Sequence, residues 1–200
     1  ELRQVEIPND SELQIIGEDA FNEAEIETIF IPSQVTQIKD NAFDLCRKLH
    51  SIQFSENSKL EKIGKSVFNS TSIESITLPA SVIDFTKYSF FTTRKPIKVY
   101  IDPKNPHMKL YDNKIIIKKT SKEKENFDII CSCLPDVTHV TIPDFIEKIG
   151  RFCFKSQLRV ALFSPNSKVR IIDEFSFCSS SIDTISLPSS VTHIKSFAFS

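Results

Sequence analysis

Ile26 to Phe43 reads IETIFIPSQVTQIKDNAF, and the chain says it again twice over. Ile73 to Phe90 reads IESITLPASVIDFTKYSF, and Ile182 to Phe199 reads IDTISLPSSVTHIKSFAF. The shared frame is apolar-x-x-apolar-x-apolar-Pro, then x-x-apolar-x-x-apolar, then a small residue and Phe. Repetition at a fixed period of 20 to 50 residues is the signature of a solenoid, in which each unit buries its apolar side only against its neighbours.

Two rulers measure the period. The last apolar residue of each short apolar run falls at Ile7, Ile31, Phe54, Leu78, Ile101, Ile142, Phe163 and Leu187, with spacings of 24, 23, 24, 23, 41, 21 and 24. A Phe recurs at Phe21, Phe43, Phe68, Phe90, Phe154, Phe177 and Phe199, with one wide gap between Phe90 and Phe154. Both rulers place one insertion in the same region. They predict about eight coils, grouped as an N-terminal block over 1–101, an interrupting coil over 102–135 and a C-terminal block over 136–200. The expectation is a single continuous solenoid cut from a longer array.

Within a coil the apolar run ends in period-two alternation, as in Leu49, Ile52, Phe54, which is strand spacing. Pro8, Pro32, Pro79, Pro143 and Pro188 then follow the run directly; Pro has no N–H to give a ladder and ends the strand. Stacked coils would align these strands into a parallel sheet on the concave face. In the second half of the coil, Val35, Ile38, Ala42 and Phe43 are spaced by threes and fours, which predicts a short helical or 3₁₀ turn on the convex side. Two kinds of link alternate. The runs ending at Ile7, Phe54 and Phe163 lead into NDSEL, SENSKL and SPNSKV, whereas those ending at Ile31, Leu78 and Leu187 lead into Pro-x-x-Val. The real unit therefore reads as a pair of coils.

The insertion holds two extended runs, Lys114 to Lys118 and Phe127 to Leu134, joined by KTSKEKEN. Two such runs around a polar link predict a β-hairpin projecting from the solenoid with a solvated tip.

Composition bounds the partners. Net charge is -1 with the basic residues dispersed, so no field attracts nucleic acid or an anionic membrane. No apolar run approaches the roughly 20 residues of a membrane helix. No phosphate loop, zinc-ligand set or nucleophile motif is present, so neither catalysis nor a cofactor or metal is expected. Cys131 and Cys133 stand two apart, which would place both on one strand face; two packed thiols are the ordinary reading and a redox pair the sharper one. Cys46 and His50 fall on opposite sides of the coil.

What remains is the outward face of the sheet, whose side chains vary from coil to coil. The candidate binding residues are Glu27, Phe30, His50, Gln53, Glu74, Thr77, Tyr100, His139, Arg159, Val160, Leu162 and Asp183. Most are polar. Phe30, Tyr100, Val160 and Leu162 are not, and apolar groups on a polar concave surface are what protein-binding patches use. Asn9-Asp-Ser and Asn69-Ser-Thr are N-glycosylation triplets if the chain is secreted.

The frame as it stands in IETIFIPSQVTQIKDNAFDLC, Ile26 to Cys46, resembles the BspA-like leucine-rich repeats related to the treponemal class. Six other coils match it in part. The interruption LYDNKIIIKK followed by DIICSCLPDVTHVTIP is also similar to the hairpin-bearing interruptions of that family. Before the Phe, the frame's Ala is replaced by Ser at Ser89 and Ser176, Val at Val67 and Cys at Cys153, which are small swaps. The resemblance implies a leucine-rich-repeat solenoid without catalytic residues, on a surface or secreted protein of a bacterium or parasitic protist. It also implies binding to host matrix or cell-surface proteins in adhesion. An intracellular interaction scaffold on the same fold is the alternative, and self-association end to end through exposed sheet edges is expected of a cut array.

Overall fold

A computed structural model describes residues 2–85, 97–121, 123–134, 136–154 and 157–200. Phe90 of the phenylalanine series and Pro135 at the insertion boundary lie outside the described residues. The chain forms two compact units, Glu1–Pro106 and His107–Ser200. Between them they hold about seven coils of a parallel β-solenoid, not eight.

In the N-terminal unit four-residue strands and two-residue strands alternate along the coils. The long strands are Thr28–Ile31, Ser51–Phe54, Ser75–Leu78 and Lys98–Ile101. The short ones, Ile15–Ile16, Gln37–Ile38, Lys62–Ile63 and Asp84–Phe85, join in one parallel ladder. They occupy the positions where a helical turn was expected, and no described residue is helical. The reason is visible in the backbone. Past each of the first three short strands two residues four apart take a left-handed conformation: Asp19 and Glu23, Asn41 and Leu45, Ser66 and Ser70. A right-handed helix cannot propagate through such residues. The N–H groups bond to the next coil instead of to their own: Asn41, Phe43 and Leu45 donate to the carbonyls of Lys65, Val67 and Asn69, at 2.9, 3.1 and 3.0 Å. The three-and-four spacing of Val35, Ile38, Ala42 and Phe43 thus reflects a corner, with all four side chains buried inside it.

That corner holds the aromatic stack. Phe21, Phe43 and Phe68 lie with ring centroids 5.2 and 6.0 Å apart and planes within 5° of parallel. In the C-terminal unit Phe154, Phe177 and Phe199 repeat the stack at 4.7 and 5.1 Å. A second file runs beside it there: Phe152, Phe175 and Phe197, at 4.8 and 5.2 Å, each with φ near +55°. The corresponding N-terminal residues are Asp19, Asn41 and Ser66. Asp and Asn take the left-handed region at little cost, whereas for a bulky residue it is an outlier.

From His107 onward the insertion belongs to the C-terminal unit. Ile115–Lys118 pairs antiparallel with Ile129–Cys133, as expected, but also with a third strand, Met108–Tyr111. The connecting turn is Asp112-Asn113, both left-handed, with the Lys114 N–H donating to the Tyr111 carbonyl at 3.1 Å. The hairpin does not project freely. Ile115, Ile116 and Ile117 are all buried, and Ile115 and Ile117 pack with Val140, Ile149 and Phe154 in the core of this unit. Ile129–Cys133 then pairs parallel with the short strand Lys148–Ile149, which continues to Ile171–Ile172 and His193–Ile194 in one six-stranded sheet.

Candidate protein-binding face

The long strands alternate as the frame dictates. Ile29, Ile76, Val99, Val140 and Ala161 are buried at 3, 3, 6, 3 and 4% exposure, and the residues between them face outward. Glu27, His50, Gln53, Glu74, Thr77, Tyr100, His139, Arg159, Leu162 and Asp183 are exposed, while Phe30 and Val160 are half-buried. A register slip of one residue would have reversed every one of these positions.

The two units present different faces. In the N-terminal unit Phe30 sits opposite Gln53, and Thr77 opposite Tyr100. A groove of about 720 Å³ opens there, lined by Arg3 to Pro8, Glu27, Thr28 and Phe30. Arg3 pairs with Glu25 at 3.3 Å, and Gln4 donates to Glu6 at 2.7 Å. In the C-terminal unit His139 sits opposite Val160 and Thr141 opposite Leu162. Leu162 is 58% exposed and Tyr100 49% exposed, both large apolar surfaces where other coils carry Gln53, Thr77 or Thr141.

Strong electrostatics lie away from this face and bind coils together. Asp173, buried, takes Lys148 at 2.6 Å and Lys195 at 3.0 Å, one from the coil before and one from the coil after. Burial alone would push its carboxyl up. The two ammonium groups and the Glu174 N–H outweigh that and hold it at about 2, below the ordinary 3.8. Asp128 is held low in the same way: burial opposes, while Lys124 at 2.5 Å, the Thr120 hydroxyl and the Thr120 N–H prevail. Lys124 also reaches Glu147 at 3.1 Å. Lys109 and Lys119 sit over the ring of Phe127, 4.6 and 5.6 Å from its centroid. Lys119 and Lys124 of the link are thereby held to their own unit, while Thr120, Ser121, Glu123, Glu125 and Asn126 are exposed, as expected of a solvated tip.

The cysteines are free thiols. Cys46 donates to the Phe21 carbonyl at 2.9 Å and Cys153 to that of Ile130 at 2.8 Å, so each closes a bond between coils. Burial, with Asp44 nearby, pushes the Cys46 thiol up to about 11, away from the reactive thiolate. Its Sγ is engaged, and His50 is exposed with Nδ1 3.1 Å from the Lys48 carbonyl; the two are not brought together. The expected shared face of Cys131 and Cys133 fails because the register shifts between Ile116 and Ile117, which leaves Cys131 in a bulge. Cys133 joins the core, and Cys131 donates to the Ile116 carbonyl at 3.3 Å.

The glycosylation triplets also differ. Asn9 is exposed on a turn. Asn69 donates its amide to Asp44 at 2.8 Å, and Thr71 is buried with its hydroxyl on the Phe68 carbonyl at 2.9 Å. Among the described residues no helix is long and apolar enough to cross a membrane.

The family model for the BspA type leucine rich repeat region matches residues 1–96 and 116–200, in six copies. No curated protein sequence is significantly similar. The solved pneumococcal vaccine antigen PcpA is similar over 90% of this chain and 44% of its own, at 25% identity and a TM-score of 0.72. A leucine rich cell surface protein of Faecalibacterium prausnitzii is similar over 94% and 60%, at 20% identity and a TM-score of 0.61. This chain therefore spans less than two thirds of either structure. A leucine-rich repeat protein of Eubacterium ventriosum shares the fold at 16% identity, over 93% and 79%, with a TM-score of 0.52. With the repeat, the two-strand coil and a family match over most of its length, the chain belongs to the BspA-type leucine-rich repeat family.

Proposed function

We propose that this chain is a non-enzymatic binding module of a cell-surface or secreted protein, and that its concave strands hold a host matrix or cell-surface protein in adhesion. Leucine-rich repeat domains generally mediate protein–protein interaction, and the solenoid fold is generally non-catalytic. The observation that carries the reading is the exposure of Leu162 and Tyr100 at positions that Gln53, Thr77 and Thr141 fill in other coils. Solvated sheet faces gain nothing from such groups, while interface centres are built on them. The cell-surface and vaccine-antigen titles of the two similar structures favour the surface setting.

The test is solid-phase binding of the chain to a panel of purified matrix and cell-surface proteins, with Phe30→Asp, Tyr100→Asp and Leu162→Asp combined. Binding by the native chain, abolished in a variant that keeps its circular dichroism and melting temperature, supports the reading. A folded variant that binds unchanged sinks it. Expression in a secretory eukaryotic host adds a second measure: Asn9 takes a glycan and Asn69 does not. The alternative, an intracellular scaffold, draws on the five free thiols.

A further inference from the structure

The concave ladder is closed at some interfaces between coils and open at others, in strict alternation within each unit. Thr28–Ile31 pairs with Ser51–Phe54, Ser75–Leu78 with Lys98–Ile101, and His139–Ile142 with Val160–Phe163, each as an isolated two-stranded sheet. Between Ser51–Phe54 and Ser75–Leu78 there is no pairing. Arg3 to Pro8 does not pair with Thr28–Ile31, nor residues 183–187 with Val160–Phe163. At each open interface one backbone bond marks where the strands part: Glu25 to Leu2, Ser72 to Leu49 and Ser181 to Leu158, at 2.9, 2.9 and 3.0 Å. The middle example lies inside the N-terminal unit with coils on both sides, so the opening is no effect of a chain end.

The order of the links follows the alternation. The strand before each opening leads into NDSEL, SENSKL or SPNSKV. In all three a serine hydroxyl, of Ser11, Ser58 or Ser167, accepts the N–H two residues on, at 3.2, 3.2 and 3.4 Å. The strand after the opening leads into a tight turn in which the N–H of Val35, Val82 or Val191 donates to the proline carbonyl, at 3.2, 3.1 and 3.1 Å. Each open interface has the long link on its first strand and the tight turn on its second, whereas the closed interface between Thr28–Ile31 and Ser51–Phe54 has them in the reverse order. The other two sides of the coils stay joined. In the N-terminal unit the short-strand ladder is continuous over Ile15–Ile16, Gln37–Ile38, Lys62–Ile63 and Asp84–Phe85.

We propose that each unit is a series of two-strand plates hinged at its open interfaces, so that the concave face changes curvature while the convex ladder keeps its spacing. Gln53, Ser75 and Thr77 on the open edges are exposed, and beyond the single bond at its start the interface has no ladder bonds to break when the plates tilt. The device stands whether or not the face binds protein.

Spin-label distances on the intact chain test it, with the half-buried thiols removed by Cys131→Ser and Cys178→Ser. Labels at Thr28→Cys and Lys98→Cys span two closed interfaces and one open interface on the concave side. Labels at Ile15→Cys and Asp84→Cys span three closed interfaces on the convex side. The expected result is a distance distribution about twice as broad for the concave pair; equal widths overturn the proposal. Amide exchange on the unlabelled protein guards against disturbance by the labels. Ser51, Gln53, Ser75 and Thr77 should exchange about tenfold faster or more than the bonded amides of His50, Ser55, Lys98 and Asp102. Equal protection of the two sets also overturns it.

Discussion

The corner and the concave face of the N-terminal unit belong to the same coils, yet they satisfy their backbones differently. At the corner, Asp19, Phe21 and Glu23 donate to Asp40, Ala42 and Asp44, and Asn41, Phe43 and Leu45 donate onward to Lys65, Val67 and Asn69, so two successive interfaces among the described residues are both bonded. On the concave face, one interface is laddered and the next is bare. The difference follows what lies beneath. The corner encloses Phe21, Phe43 and Phe68 with ring against ring, so a missing bond there would be both buried and unpaired. The concave backbone borders water, which replaces a lost bond at little cost. The rigid side of the molecule is therefore the one built on a strict letter, and the adaptable side is the one where letters and link lengths vary.

The heaviest blow to this contrast is at the corner. Phe43→Ala removes a fully buried ring stacked between two others, and should cost about 3–5 kcal/mol in chemical denaturation. Gly64→Ala comes next. A methyl group there would lie 2.6 Å from the Asp40 nitrogen and 2.8 Å from the Lys39 carbonyl carbon, backbone atoms that cannot turn aside. A loss of about 1–3 kcal/mol is expected, read in the same way.

Asp173 tests the clamp between coils. Its carboxyl is held below the ordinary value, so its contribution is full above about pH 4 and disappears as pH falls toward 2. Integrated over that window the effect is about 2 kcal/mol. Asp173→Asn should lower stability near neutrality by a similar amount and flatten the acid limb of the stability curve; a limb as steep as the native one would show that other carboxylates dominate.

The smallest expected effect sharpens the comparison directly. Replacing the SENSKL link with the short Pro-x-x-Val pattern should close the interface between Ser51–Phe54 and Ser75–Leu78. Stability should move by no more than about 0.5 kcal/mol, because only solvated bonds are traded. The Thr77 amide should nevertheless become protected from exchange.

Much of this was legible in the letters. The strand frame, the proline stop, the phenylalanine series and the outward set from Glu27 to Asp183 need only period-two alternation and a repeat. The convex side was misread because Val35, Ile38, Ala42 and Phe43 carry a helical spacing. What forbids the helix is the left-handed backbone at Asn41 and Leu45, and no glycine announces it; none of the left-handed residues is glycine. The third strand of the insertion was missed for a related reason: its turn is Asp112-Asn113, a tight turn without the usual glycine. The alternation of links was visible, but which interface it would open was not. Ladder pairing depends on how two links match across coils, and a single coil does not contain that information.

The regular coil has a consequence for how the molecule assembles. In the N-terminal unit the hydrogen bonds between coils join residues 21 to 26 positions apart, wherever along the unit they lie. Loop closure costs entropy in proportion to the logarithm of its length, about 0.6 kcal/mol for each doubling. Every added coil therefore closes a loop of the same size and meets the same toll, however long the array has become. Contact order falls as the chain grows, and folding started at one stacked pair of rings can advance coil by coil in either direction.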